Sequence, residues 1–477
     1  MNQKVILNVM GNLLSLLALL MIIPLLVALY YGDSPYPFAF SVVITGITGL
    51  FLSNRYRSEG DWKKREGFAI VAFSWFLAAV FGALPYLFDG FTPVNALFES
   101  MSGFTTTGAT IMLDIENHSR SILFWRSMTQ WIGGMGIIML FIAILPKLGV
   151  AGRQLFRAEA PGPTEDKIKP RIRETAKVLW LVYVVISAIE VVALMLAGMD
   201  AYDAVTHTFT TMACGGFSPY ANSVAEFGSP LIEGIITLFM FIAGANFALH
   251  YKTLYSDRKS LINDNEFRFY TLIVLVATLI LTFSLWNDVG ENIFTAFRYA
   301  IFQVVSIVTT TGYATVDFNL WTDSARIVLL AVMFIGGSAG STAGGIKVMR
   351  FLLLLKYSQR ALFKSIHPRA VKPIKFNNKT VPDDVMQAIV SFVVIYLMIF
   401  AISASLLALM GMDMLTSITA SIATLGNIGP GFSLVGPMAS FDMIPFVGKL
   451  LLIANMWIGR LEVFTVIVLL TPEFWKR

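Results

Sequence analysis

Apolar runs long enough to span a lipid bilayer, roughly 20 residues each, recur at 5–30, 37–53, 67–88, 121–146, 175–198, 230–250, 269–286, 325–357, 384–410 and 445–470. This pattern predicts an all-α polytopic membrane protein with about ten crossings. The first run begins at Val5 after a single lysine and ends in Tyr30-Tyr31 with no small-residue cleavage site. It is longer than a signal-peptide core, so it is expected to stay in the mature chain. A second class of segment, near 93–105, 201–213, 292–309 and 414–426, is moderately apolar and roughly 12 to 18 residues long. Such segments are too short to cross and are predicted to dip into the membrane and return as half-helices.

Each short segment leads into a related glycine pattern. The four copies are Phe104-Thr105-Thr106-Thr107-Gly108-Ala109, Ala213-Cys214-Gly215-Gly216-Phe217, Val308-Thr309-Thr310-Thr311-Gly312-Tyr313 and Gly426-Asn427-Ile428-Gly429-Pro430-Gly431. Twelve residues before the glycine stand Ala96, Ala204, Ala300 and Ser417, and nine before it Glu99, His207, Gln303 and Ala420, so the registers agree without gaps. Downstream, each copy has a second landmark in a long apolar run: Trp131-Ile132-Gly133-Gly134, Phe241-Ile242-Ala243-Gly244, Phe334-Ile335-Gly336-Gly337 and Trp457-Ile458-Gly459-Arg460. The repeating unit is therefore helix, half-helix, extended glycine segment, helix. Two crossings per unit return the chain to its starting side, so all four units share one orientation, unlike the inverted repeats of many transporters. The expected organisation is an N-terminal accessory helix pair at 1–60 and four parallel repeats at 61–150, 170–258, 265–360 and 380–477 around a pseudo-fourfold pore.

Irregular backbone at membrane depth is tolerated only where it is buried in protein or lines a water-filled cavity, so the four glycine segments are expected to face one axis. There, main-chain carbonyls of Thr106, Thr107, Gly108, Cys214, Gly215, Gly216, Thr310, Thr311, Gly312, Asn427, Ile428 and Gly429 can replace water around an ion. Glycine permits the positive φ that turns successive C=O groups one way. The half-helix C-termini, each with roughly half a negative charge, favour a cation. A single Thr-Thr-Gly is more simply a packing contact; four in register are not.

Composition agrees with a lipid solvent: 56% of residues are hydrophobic and 14% charged, with a mean hydropathy of +0.71. The net charge of +5 does not mark a nucleic-acid binder, because 26 of the 35 Lys and Arg fall in 54–66, 147–177, 252–268 and 347–379. The connections 111–120, 217–230 and 313–325 instead carry Asp114, Glu116, Glu226, Asp317 and Asp323. By the positive-inside rule the basic loops, and with them both termini, are expected on the cytoplasmic side. The lone Cys214 excludes an internal disulfide and a Cys-based metal cluster. The ionisable residues of the apolar segments, Glu99, Glu190, His207, Arg460 and Glu462, form no catalytic motif, and no nucleotide motif occurs, so no enzyme and no organic cofactor are expected.

In the second long run of the third repeat lies Gly336-Gly337-Ser338-Ala339-Gly340-Ser341-Thr342-Ala343-Gly344-Gly345. At about 1 kcal/mol per glycine relative to alanine, continuous helix is disfavoured there, and the segment reads as a loop within the membrane, lying across the path below the filter. The alternative is a glycine face for close helix packing, although such a face needs glycine every fourth residue. Arg460 stands where the other repeats have glycine. Such a charge costs roughly 2.5–3.5 kcal/mol at mid-membrane, so it is expected to face the cavity, repel cations and bond the loop. A pair with Glu462 is the blander alternative. Glu99, His207 and Gln303 are expected to brace the half-helices, and Cys214 to act through its backbone.

Over essentially its whole length the chain resembles the Trk/Ktr/HKT superfamily of potassium transporters, and its N-terminal pair resembles the Trk branch. The resemblance implies K⁺ as the transported ion, with Gly108, Gly216, Gly312 and Gly429 as filter glycines and the 336–345 loop as gate. It further implies a homodimer in a bacterial inner membrane, each subunit keeping its own pore, and a cytoplasmic nucleotide-binding ring protein as regulatory partner. Only Tyr313 matches the tyrosine of the Thr-Val-Gly-Tyr-Gly pattern; Ala109, Phe217 and Pro430 depart from it. Uptake of K⁺ and Rb⁺ is thus the expected function. A Na⁺-permeable or H⁺- or Na⁺-coupled symporter of the same fold and, from another class, an organic-solute transporter are the alternatives.

Overall fold

The structure is a computed structural model and describes residues 2–57, 64–144, 172–289 and 292–476. The larger part of the basic stretch expected at 147–177 lies outside the described residues. The first two helices, Gln3–Tyr31 and Tyr36–Arg55, form a pair. Gly11 and Gly49 sit in its seam: a Cβ on Gly11 would lie 2.4 Å from Ser53 N, and one on Gly49 2.6 Å from Ser15 N. The pair packs on Lys64–Gly82, the first crossing of repeat 1. Its other face leaves Leu16, Leu19, Leu26 and Leu29 exposed, as suits a lipid solvent.

The four half-helices are Pro93–Phe104, Ala201–Met212, Ile293–Val308 and Met414–Leu425, within a residue or so of the stretches the sequence predicts. Each starts on a short polar residue in extended conformation: Thr92, Asp200, Asn292 and Asp413. Asp413, outside the spans, accepts from Thr416 N at 3.0 Å. Burial acts to raise its carboxyl, but bonds from Thr416 and Ser433 hold it below the usual carboxylate range.

The first crossings are continuous: Lys64–Gly82, Ile172–Leu196, Asn265–Val289 and Asp383–Leu409. The second crossings differ from the expectation of one break in repeat 3. Only Arg120–Ile144 is one helix. In repeat 2, Pro230–Ala243 and Phe247–Tyr255 meet at 96°, and in repeat 4, Phe446–Arg460 and Phe464–Leu470 meet at 118°. In repeat 3, Asp323–Met333 and Val348–Ile366 flank the predicted loop. The long apolar runs did not reveal two of these breaks: in repeat 2 the missing helix bonds are made by the repeat-3 loop (Ser338 N to Gly244 O, 2.9 Å), and in repeat 4 the turn closes on its own backbone (Glu462 N to Gly459 O, 3.2 Å; Val463 N to Ile458 O, 3.0 Å). By length and composition, six described helices suffice to cross a membrane, or eight counting each bent pair as one span. A two-residue hairpin, Lys375–Phe376 with Lys379–Thr380, adds the little strand present among the described residues.

Candidate ion pathway

All four half-helices end in the same way. The residue two before the glycine is left-handed: Thr106 (φ 52°), Cys214 (φ 54°), Thr310 (φ 57°) and Asn427 (φ 54°). Its N–H donates to the carbonyl three residues back, and the next N–H to the carbonyl five back. The second bond runs from Thr107 to Ser102 (2.8 Å), Gly215 to Thr210 (2.9 Å), Thr311 to Ser306 (2.8 Å) and Ile428 to Ala423 (2.8 Å). This is the Schellman pattern, usually built on glycine. Asparagine tolerates it, but a β-branched threonine there is an outlier, costing roughly 1–2 kcal/mol.

The glycine that follows is left-handed as well: Gly108 (φ 82°), Gly216 (φ 73°), Gly312 (φ 81°) and Gly429 (φ 101°). Its missing side chain is needed for a second reason. A Cβ on Gly108 would lie 2.1 Å from Gly215 O, on Gly216 1.9 Å from Thr311 O, on Gly312 2.0 Å from Ile428 O and on Gly429 2.8 Å from Thr107 O. Each glycine thus abuts the carbonyl that precedes the glycine of the next repeat, and the fourth returns to the first. The four segments close a ring through the four glycines and the carbonyls of Thr107, Gly215, Thr311 and Ile428, with Thr106, Cys214, Thr310 and Asn427 adjoining it in sequence. Backbone oxygens set in such a ring suit a partly dehydrated cation.

The ring is held from outside. Gln130 of repeat 1 donates through Nε2 to Gly215 O (2.8 Å) and accepts from Phe217 N (3.1 Å). It fills the space where repeats 1, 3 and 4 have the side chains of Thr107, Thr311 and Ile428; a Cβ on Gly215 would lie 2.4 Å from its Cδ. Tyr313 donates to His207 O (3.0 Å) and contacts the Thr210 hydroxyl, joining repeats 2 and 3. Asn427 donates to Thr107 Oγ1 (2.9 Å), joining repeats 4 and 1. Glu99 accepts from Arg126 Nε (2.6 Å), Ile111 N (3.0 Å) and Thr110 Oγ1 (3.0 Å), while Arg126 also donates to Ser218 O (2.7 Å). His207 bonds Ser218 Oγ through Nε2 (3.1 Å), and Gln303 donates to Thr315 Oγ1 (3.4 Å). These three residues brace the half-helices, as the sequence led one to expect.

On the other side of the ring lies the segment 336–345. Its Gly344 N donates to Thr310 Oγ1 (2.7 Å), and Thr342 Oγ1 donates to Met212 O (2.9 Å) with Cys214 Sγ at 3.1 Å. A Cβ on Gly344 would lie 2.5 Å from Gly426 O and 2.9 Å from Asn427 Cβ. The segment therefore touches three of the four left-handed positions. It also fits the break in repeat 2: Ser338 N donates to Gly244 O (2.9 Å), Thr342 N to Ala243 O (3.4 Å), and Phe247 N to Gly340 O (3.1 Å). Those carbonyls lost their helical partners where the helix turns, and the loop supplies donors. Gly336 N donates to Ile346 O (2.8 Å), Val348 N to Gly337 O (3.1 Å) and Ser341 Oγ to Ser338 O (2.6 Å), closing the loop on itself. Ala339 N (2.7 Å) and Met349 N (3.2 Å) both donate to the buried carboxylate of Glu266. Gly345 is left-handed (φ 66°) beside Gly336, and Lys347 Nζ donates to Ala343 O.

Arg460 is buried and donates through Nη1 to Thr342 O (2.8 Å); Nε and Nη2 meet no acceptor among the described residues. Glu462 pairs with Arg350, not with Arg460. Residues 462 and 463 are left-handed (φ 55° and 56°), which turns the chain sharply at this break. Sequence reasoning missed Gln130, Glu266, Asn246 and the Arg350–Glu462 pair. Glu266 carried a usable signal, an acid one residue into an apolar span; Gln130 carried none, because its partners lie 85 and 87 residues away.

A family model described as TrkH, cation transport protein, matches residues 36–477. The Trk system potassium uptake protein TrkH of Escherichia coli (strain K12) is 43% identical over 487 residues, covering all of both chains. TrkG of the same strain is 35% identical over 99% of each. The crystal structure of the potassium transporter TrkH from Vibrio parahaemolyticus superposes with a TM-score of 0.91 at 38% identity over the whole of both chains. With likeness of this extent in both sequence and fold, the chain belongs to the TrkH family of cation transport proteins, transporters and not enzymes.

Proposed function

We propose that this chain takes up K⁺, and Rb⁺ in its place, across the bacterial inner membrane through the ring of glycine segments, with the 336–345 loop and Arg460 as its gate. The observation that carries the reading is the closed ring, in which each of four equivalent glycines abuts a carbonyl of the next repeat. A cation is favoured by the four half-helix ends around it, and potassium by what the relatives' names say they take up. The gate assignment is supported by the loop's bonds to Cys214 and Thr310 directly beneath the ring. It is supported too by the incompletely bonded guanidinium of Arg460, whose charge opposes a cation in the path.

A closed loop needs something to open it, and the chain has no nucleotide motif of its own. A cytoplasmic nucleotide-binding ring protein acting on the basic face, with the transporter as a homodimer and both termini cytoplasmic, completes the proposal. The test is ⁸⁶Rb⁺ uptake into liposomes holding the purified chain, with K⁺ or Na⁺ as competitor, beside Arg460→Ala and a deletion of 338–343. Entry of Rb⁺, better competition by K⁺ than by Na⁺, and faster leak through both variants are expected. No entry even through the deletion would overturn the pore; entry with unchanged leak would overturn the gate alone.

A further inference from the structure

The first crossing of repeat 3, Asn265–Val289, begins on the Lys/Arg-rich side and packs against Val348–Ile366, the helix that follows the loop. Between them opens a groove of about 240 Å³ lined by Asn265, Arg268, Phe269, Leu272, Leu352 and Lys356. On the spanning helix its character changes with depth. Asn265 and Arg268 stand at the first turn of the apolar span, and Phe269 and Leu272 follow further in, Leu272 being 54% exposed. The opposite wall repeats the mixture, with Leu352 and Lys356 one turn apart.

Neither cation meets a carboxylate among the described residues. Arg268 donates to Ile262 O and weakly to Asn263 Oδ1 (3.5 Å), and Lys356 to Lys375 O (2.8 Å). All three acceptors are neutral. Two uncompensated positive charges at the boundary of a membrane span, above an open apolar wall, match one kind of ligand: a phosphate ester that carries an acyl chain. A soluble anion would use the two cations alone and make no contact with Phe269, Leu272 and Leu352, and a zwitterionic lipid would bring its own cation to the site.

We propose that this groove binds an anionic phospholipid from the leaflet on the basic side, its phosphate between Arg268 and Lys356 and an acyl chain along Phe269, Leu272 and Leu352. The full chain, stripped of lipid in detergent, is titrated with phosphatidylglycerol, phosphatidylcholine or glycerol phosphate, and bound molecules are counted by native mass spectrometry. This readout does not depend on permeation. Wild-type chain is expected to retain phosphatidylglycerol in preference to phosphatidylcholine and not to hold glycerol phosphate. Arg268→Gln/Lys356→Gln retains one phosphatidylglycerol fewer, with affinity at the lost site about thirtyfold weaker. Leu272→Trp, which fills the apolar part and leaves both cations, loses the same lipid. Equal retention of phosphatidylcholine, or full retention by both variants, overturns the proposal. Glycerol phosphate held as tightly as the lipid also overturns it, in favour of a soluble-anion site. So does loss of a cytoplasmic protein partner by the double variant while its phosphatidylglycerol remains, which makes the groove a protein contact.

Discussion

Left-handed backbone occurs twice in each glycine segment, and the two positions carry different constraints. At the first, the motif that ends a half-helix is occupied by Thr106, Cys214, Thr310 and Asn427; at Cys214, Thr310 and Asn427 the strain of a non-glycine residue is accompanied by side-chain contacts toward the loop, whereas the Thr106 hydroxyl meets no partner among the described residues. At the second, no side chain fits, because the neighbouring carbonyl stands where Cβ would be. The distances rank the consequences. Gly216→Ala, Gly312→Ala and Gly108→Ala, with a Cβ at 1.9–2.1 Å from backbone oxygen, should each lower the preference for K⁺ over Na⁺ by about tenfold or more. Gly429→Ala, at 2.8 Å, should be the mildest. Competition of ⁸⁶Rb⁺ uptake by the two ions gives the ranking, and four equal effects would speak against the carbonyl contact as its cause.

Broken helices gather the loop and Arg460 beneath the ring. The three broken second crossings meet at one place: the repeat-2 break offers the carbonyls of Ala243 and Gly244, the repeat-3 loop occupies them, and the repeat-4 break places Arg460 against Thr342. Asn246 restarts the repeat-2 helix by accepting from Ala248 N (2.8 Å). Glu266 holds both sides of the loop, at Ala339 and Met349, from a separate helix. Glu266→Ala leaves these two buried donors unpaired, at about 1–3 kcal/mol each, and so weakens the closed arrangement. Basal Rb⁺ uptake should rise by about tenfold or more, while Glu266→Gln, which keeps an acceptor, should change it little. Equal rates for wild type and Glu266→Ala would mean that the carboxylate does not hold the loop shut.

For the whole molecule, four repeats must be locked in register for the ring to close. Each boundary has its own device: Gln130 and Arg126 between repeats 1 and 2, Tyr313 between 2 and 3, Asn319 with Ser433 (2.9 Å) between 3 and 4, and Asn427 between 4 and 1. The Glu99–Arg126 pair is the most buried ion pair among the described residues and ties a half-helix to both its own second crossing and the neighbouring repeat. Arg126→Leu leaves Glu99 buried without its partner and should cost about 3–5 kcal/mol of unfolding free energy. Glu99→Gln with Arg126→Leu should cost less than Arg126→Leu alone, because the orphaned charge is gone. Denaturant unfolding in detergent measures both; a double variant less stable than the single would show that the pair itself, and not the stranded charge, sets the cost.

The sequence by itself determined the number of repeats, their common orientation, the half-helices to within a residue or so, the four glycine segments and the loop in repeat 3. Those features rest on local physics: run length against bilayer thickness, glycine's access to positive φ, and periodic recurrence. Arg460 could be read as an unusual charge for the same reason. The breaks at 244–246 and 461–463, the clasp of Gln130 on Gly215, the anchoring of the loop by Glu266 and the pairing of Glu462 with Arg350 were decided by the tertiary structure alone. All but the break at 461–463, which closes on its own backbone, depend on a partner from another repeat or a distant helix. A helix in lipid can stop its regular hydrogen bonding only where a neighbour or a local turn supplies the missing donor or acceptor.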